Sequence, residues 1–405
     1  MSKPLFVLLL GRILTNFSDS FDKIATIWYV KNTTDSSLLI GITSAIAILP
    51  ITIQFLYGPI IDRFSKRRIL FFASIGQGLF ISIISILYYA ESLWLPVLFL
   101  LMFLSLTFSE ATYPTENALI ERLASRDKLA KVNSIFAFSY QTLDIICDAI
   151  SGILIAFVGL GVIYISNSVL LIFTGMLFLF YLKVPASKRE SEATTNHFFK
   201  QYKKDFADGF RVVKRQKTLL SILFGVIGIN VLATMGLAML PVISNTSVKY
   251  GFWLTSMSIG SIVGTILSSR LEKMPLNRVL PLTSLISSTS WLLAMVTVNQ
   301  FIVPYIFFGL AWLGIGIMGI YIQTLIQVNL PEEYLGTGFA FLSSLLGSLS
   351  PIGFFLGGLL GQLTSSYLVL YLACLGYFGF AVYFWVHPKL SRLENELSSR
   401  FEESI

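Results

Sequence analysis

Two cysteines and two histidines in 405 residues leave little material for metal or thiol chemistry. Cys147 and Cys374 fall in separate apolar stretches, which excludes a disulfide framework and a thiol cluster. His197 and His387 lie far apart and outside the cores of those stretches, so neither a metal centre nor histidine-based catalysis is expected. Charge is scarce as well: 13% of residues are charged, against 55% hydrophobic and 14% aromatic. A soluble chain of this length needs a polar shell that such a composition does not supply. No nucleophile–base or phosphate-binding motif is present and no loop is large enough for a catalytic domain, so neither an enzyme nor a cofactor is expected. The first apolar run is too long and too polar for the core of a cleavable signal, and no small-residue cleavage site follows it.

What the chain has instead is apolar runs. Mean hydropathy is +0.76, and stretches of roughly 20 residues, each long enough to cross about 30 Å of hydrocarbon as a helix, recur along its length. Twelve are predicted, near 5–30, 38–60, 69–89, 93–115, 133–157, 160–182, 218–243, 250–269, 279–298, 300–324, 338–361 and 366–387. With a cytoplasmic N-terminus, all of the 29 basic residues except Arg12, Lys23, Lys31 and Lys249 fall on the cytoplasmic side. This is the asymmetry that orients membrane proteins. The net charge of +7 is thus a topology signal, and no nucleic-acid partner is expected. The expectation is an all-α protein integral to the plasma membrane, multi-pass, with both termini cytoplasmic.

The longest polar stretch, 184–217, sits at the midpoint. Phe199, Tyr202, Phe206 and Phe210 recur in it at helical spacing among lysines, as in an amphipathic helix lying on the cytoplasmic face. The expected division is an N-terminal six-helix bundle over 1–183, this linker, a C-terminal six-helix bundle over 218–388, and a tail over 389–405. The halves echo one another: Leu119-Ile120 matches Leu325-Ile326, and Leu129 matches Leu335, at a displacement of 206 residues. Two parallel repeats of this kind predict a pseudo-two-fold axis along the membrane normal, with a substrate site near the midplane.

The stretch GPIIDRFSKRR, residues 58–68, resembles the signature between the second and third helices of the major facilitator superfamily, matching at Gly58, Asp62, Arg63, Lys66 and Arg67. Ser65 stands where a second glycine is usual. An aspartate at a helix end among bases suits a gating latch. Within that superfamily, PTENALIERLASRDKLAKVNS (114–134) and LPEEYLGTGFAFLSSLLGSLSPIGFFLGG (330–358) are similar to the macrolide-efflux and siderophore-exporter branch. The resemblance implies the major facilitator fold and export, usually by proton antiport. Two departures bear on mechanism. Ser105 occupies the place where many drug antiporters carry an arginine, and Asp148 lies near the proline expected in the fifth helix.

The most informative stretch is GRILTNFSDSFDKIATIW, residues 11–28. At about 100° per residue, Arg12, Asn16, Asp19, Lys23 and Thr26 share a stripe roughly 80° wide, with Asp22 at its edge. Such a stripe faces a bundle interior or a water-filled cavity. Asp19 and Lys23, with Arg12, either neutralise one another as structure, or Asp19 or Asp22 titrates and binds proton or substrate. The fifth span adds Asp144 and Asp148 one turn apart, flanked by Gln141. Two carboxylates so close in low dielectric do not both ionise easily, and a static bridge to Lys23 or Arg12 is the competing expectation. Glu110 is a further candidate, and Asn230 and Gln323 are weak pocket candidates in the second half. That half has no ionisable residue deep in a span; Trp253, Trp291, Trp312 and Tyr321 are its candidate apolar lining, or its core.

The expected function is proton-coupled efflux of a small amphiphile (a macrolide-like antibiotic, a cationic drug or a small peptide) by a monomer in the lipid bilayer. The excess of buried acids over bases favours a cation. An importer or lipid flippase of the same fold is the first alternative, and a non-transporting sensor or scaffold the second.

Overall fold

A computed structural model describes residues 2–52, 64–125, 128–184, 217–271, 274–329 and 347–391. Within them the chain is all-helical. Its α-helices are α1 (Lys3–Thr34), α2 (Ser37–Thr52), α3 (Lys66–Tyr89), α4 (Leu95–Ser109), α5 (Thr112–Leu123), α6 (Leu129–Val158), α7 (Leu160–Tyr181), α8 (Lys217–Ile243), α9 (Ser247–Ser268), α10 (Leu276–Val296), α11 (Val303–Asn329), α12 (Ser350–Leu363) and α13 (Ser366–Val386). Eight stretches are long and apolar enough to cross a membrane, among them Leu95–Ile120, which runs through the short break between α4 and α5. The 32-residue α1 is longer than any of these but carries four charges in its middle. The shorter apolar helices α2 and α12 adjoin 53–63 and 330–346, which lie outside the described residues, as do the linker over 185–216 and the tail beyond 391. Every expected span therefore overlaps a helix.

Local chemistry sets several boundaries. Pro4 opens α1 where its missing N–H costs nothing. The Ser365 side chain caps α13 by accepting from the Leu368 N–H at 3.1 Å. Between α6 and α7 the chain turns on one residue, Gly159, at φ +79, a conformation that glycine alone adopts freely.

The described helices form two compact units. The first takes Met1–Asp35, Ile46–Lys200 and Thr246–Gly251; the second takes Ser36–Ala45, Gln201–Asn245 and Phe252–Ile405. In the first, α3 packs on α4 and α7, and α1 packs on α6 and α7. Leu5, Leu8, Leu70, Leu119, Ile120, Phe136 and Phe178 close one apolar core there. In the second, α10 packs on α11 and α13, and α8 on α12 and α13. Trp291 is fully buried, donating its indole N–H to the Leu370 carbonyl at 3.1 Å, and stacks edge-on with Phe308 at 5.0 Å. Large apolar side chains remain outward on both units, Phe72, Phe173 and Phe180 on the first and Phe224, Ile266 and Val296 on the second, as lipid contact allows. The chain is a multi-pass helical membrane protein.

Candidate functional site

The first unit encloses a polar cluster built on α1. The stripe inferred from helical phase is real in outline, but its deepest member is Asp22, expected at the edge. Asp22 is fully buried, whereas Asp19 and Lys23 are half-buried. The reason is the neighbouring helix: α7 lies against the face holding Ser18, Asp22 and Thr26. Its Asn167 donates to the Ser18 carbonyl at 3.3 Å, and its Tyr164 shares a 3.1 Å hydrogen bond with Thr26.

The four charges in the middle of α1 separate into two groups. Arg12 is buried and forms an ion pair with Glu116 of α5 at 2.6 Å, both side chains almost wholly enclosed. Neither Glu116 oxygen meets hydrogen-bond angles, so this is a charge contact and not an aligned fork. The Arg12 guanidinium also lies 4.6 Å from the centre of the Tyr113 ring, a cation–π contact. One turn on, the Asn16 side-chain nitrogen is buried without a hydrogen-bond partner among the described residues.

Asp19, Asp22, Lys23 and Glu110 form the second group. Asp19 is held from two sides: Gln77 of α3 donates to one oxygen at 2.5 Å and Ser109 of α4 to the other at 2.7 Å. Asp22 differs, since neither of its oxygens has a hydrogen-bond partner among the described residues. Ser105 lies beside it, outside hydrogen-bond geometry. Lys23 acts electrostatically on Asp19, Asp22 and Glu110, yet among the described residues no carboxylate lies within salt-bridge distance of it. The hydrogen bonds to Asp19 come from Gln77 and Ser109, while Lys23 acts on it through charge alone.

The remaining candidates are dispersed. The α6 backbone carries Gln141, Asp144 and Asp148, but their side chains lie outside the described residues, as do Gly58, Asp62 and Arg63. Lys66 is buried at the start of α3 and Arg67 half-buried. Asn230 is half-buried on α8 and Gln323 exposed on α11, both in the second unit. Trp253, Trp291 and Tyr321 are buried core residues. Trp312 is half-buried with its indole N–H unpartnered.

Sequence reading missed Glu116, Gln77 and Ser109. The signal was present: Ser105, Ser109, Thr112 and Glu116 recur at spacings of four, three and four through an apolar run, one face of a helix. All four are buried. No group of histidine, cysteine, aspartate or glutamate fit to hold a metal occurs among the described residues.

Ionisable side chains inside a membrane bundle are costly and mark pathways for substrates, ions or protons, so the class these features define is a membrane transport protein. Residues 8–352 match the Major Facilitator Superfamily, and the chain belongs to that superfamily, a family of transporters. No curated protein sequence matches it. Among solved structures, the chain resembles a bacterial homologue of the iron transporter ferroportin in the inward-facing state (18% identity, 97% of this chain and all of that one, TM-score 0.67). It also resembles a bacterial homologue of the human lysosomal transporter Spinster, inward-facing and unoccupied (14%, 94% and 97%, 0.68). A mutant peptide transporter in complex with alafosfalin matches at 10% identity over 98% and 96% of the two chains, with a TM-score of 0.74. At these identities the likeness is one of fold.

Proposed function

We propose that the chain is a proton-coupled secondary exporter of amphiphilic compounds, working by alternating access in the plasma membrane as a monomer. It has twelve transmembrane helices in two six-helix bundles and cytoplasmic termini. The observation that carries the proton assignment is Asp22, wholly buried with neither carboxylate oxygen hydrogen-bonded among the described residues. Enclosing an isolated carboxylate ion costs several kcal/mol, and taking up a proton removes that cost. Asp19, fixed by Gln77 and Ser109, is the static member. Lys23 is the mobile counter-charge, able to favour whichever carboxylate is ionised at a given stage. Asp144 and Asp148 are the second acidic pair to test.

The charge balance supports a cationic cargo. Beside the Arg12–Glu116 ion pair, the cluster holds three further acids, Asp19, Asp22 and Glu110, and among the described residues Lys23 is the base that acts on all three. Of the four aromatic candidates in the second unit, Trp253, Trp291 and Tyr321 are buried in the core, which leaves Trp312 as the candidate to line an apolar pocket. The similarity of 114–134 and 330–358 to the macrolide-efflux branch supports export. A growth-inhibition panel in a strain lacking the gene identifies a cargo. Everted membrane vesicles then show accumulation of that compound, abolished by a protonophore. Loss of cargo from the vesicles instead indicates an importer, movement of lipid alone a flippase, and no movement under either polarity of pH gradient a sensor or scaffold.

A further inference from the structure

At the end of α1 remote from the N-terminus, the first unit holds a cavity of about 420 Å³ lined by Tyr29, Tyr88, Tyr89, Glu91 and Leu93. Tyr29 comes from α1, Tyr88 and Tyr89 end α3, and Glu91 and Leu93 lie in the turn to α4. The rings meet steeply, like the walls of a box: Tyr29 and Tyr88 at 67° with centres 5.8 Å apart, Tyr88 and Tyr89 at 89° and 5.6 Å. Position 161 of α7 must be glycine for this arrangement, because a side chain there would crowd both the Tyr88 and Tyr89 rings.

The acid in this box occupies a costly position. The end of α3 is closed by two backbone hydrogen bonds, Glu91 N–H to the Tyr88 carbonyl at 3.1 Å and Ser92 N–H to the Leu87 carbonyl at 3.0 Å. This is the Schellman pattern, whose left-handed residue is usually glycine. Here it is Glu91, at φ 53. A glutamate in the left-handed region carries backbone strain. A belt of interfacial tyrosines is ordinary in membrane proteins and accounts for tyrosines at this level, but it does not account for a carboxylate kept where glycine fits better.

We propose that this box binds an organic ammonium ion. Tyrosine faces attract a cation that has shed its water, and quaternary ammonium groups are the ligands such cages take. Glu91 supplies the compensating charge. The same chemistry reads the ammonium in two places: on a free solute such as choline, or on the headgroup of phosphatidylcholine. The box shares no lining residue with the Asp22 cluster, so its failure leaves the proton assignment standing.

The test uses the full-length protein in nanodiscs of phosphatidylglycerol, with radiolabelled choline as probe. Saturable binding is expected, competed by tetramethylammonium but not by the neutral alcohol in which carbon replaces the choline nitrogen. Glu91→Gln should weaken binding about fivefold, the range of an exposed charge contact. Tyr88→Leu should weaken it several-fold, and Tyr29→Phe, which keeps the ring face, by less than about twofold. The decisive variant is Glu91→Gly, which relieves the strained backbone and removes the carboxylate; it should raise thermal stability while weakening binding at least as much as Glu91→Gln. Adding phosphatidylcholine to the nanodisc lowers the apparent affinity if the headgroup occupies the box, and leaves it unchanged if only the free ion does. Absence of saturable binding, equal competition by the neutral alcohol, or unchanged affinity in Glu91→Gly overturns the proposal.

Discussion

The two units solve the problem of a polar interior in different ways. The first buries ionisable groups: Arg12 against Glu116, Asp19 between Gln77 and Ser109, and Asp22 with neither oxygen in hydrogen-bond geometry among the described residues. The second buries hydroxyls. On α10, Ser284 donates to the Tyr377 carbonyl at 2.7 Å, Ser287 to Ala311 at 2.8 Å and Ser288 to Cys374 at 2.9 Å. Each of these bonds joins α10 to a neighbouring helix with no charge to desolvate. Small residues complete the pattern, for Gly260 of α9 lies so close to the Gly309 carbonyl of α11 that any side chain would overlap it, the close approach that small residues permit in membranes. Hydroxyl and glycine contacts hold helices together cheaply and cannot change charge. Carboxylates can, and they are confined to the first unit among the described interior residues.

This contrast can be broken at its strongest point first. Glu116→Gln removes the carboxylate paired with the buried Arg12 and should cost about 3–5 kcal/mol, as breaking a buried ion pair does, read as a large drop in the unfolding temperature of the detergent-solubilised protein. Arg12→Met combined with Glu116→Leu should recover most of that loss, since a packed apolar pair replaces a buried ionic one without penalty. If the double variant is no better than the single one, the pair is not acting as an isolated ion pair.

Substitution in the second unit should cost less and leave coupling alone. Gly260→Ala forces α9 and α11 apart at the Gly309 carbonyl and should destabilise by about 1–3 kcal/mol, as overpacking does elsewhere. Its cargo-to-proton ratio in proteoliposomes should match the unaltered protein. A changed ratio would move part of the coupling into this unit. Smallest is Ser288→Ala, which removes one interhelical hydrogen bond and should cost about 0.6 kcal/mol, the average for such bonds in membranes. A loss several times larger would mean that the α10 hydroxyls act as a network.

Much of this organisation was legible in the sequence, for definite physical reasons. Apolar length fixes where helices run, because hydrocarbon tolerates no unsatisfied backbone. Helical phase gathered Arg12, Asn16, Asp19 and Lys23 before any coordinates were needed. Partner choice was not legible. The spacing of Asp19 and Lys23 permits a pair on one helix, but Gln77 and Ser109 reach Asp19 from two other helices and satisfy both oxygens. Only packing decides which contact forms. Phase puts Asp22 only at the edge of the stripe, because it places a residue on a helix face and says nothing about which neighbour covers that face. The serine ladder of α10 was passed over because single hydroxyls in an apolar run carry no charge signal. The tryptophans were weighed as lining or core, and for Trp253 and Trp291 packing decided for core.

The central claim is that Asp22 is the group whose protonation couples to cargo. Asp22→Asn keeps the shape of the side chain and removes its titration. In proteoliposomes carrying an identified cargo, this variant should exchange cargo for cargo at the rate of the unaltered protein while losing accumulation driven by a pH gradient. Gradient-driven accumulation at the unaltered level in Asp22→Asn would contradict the account.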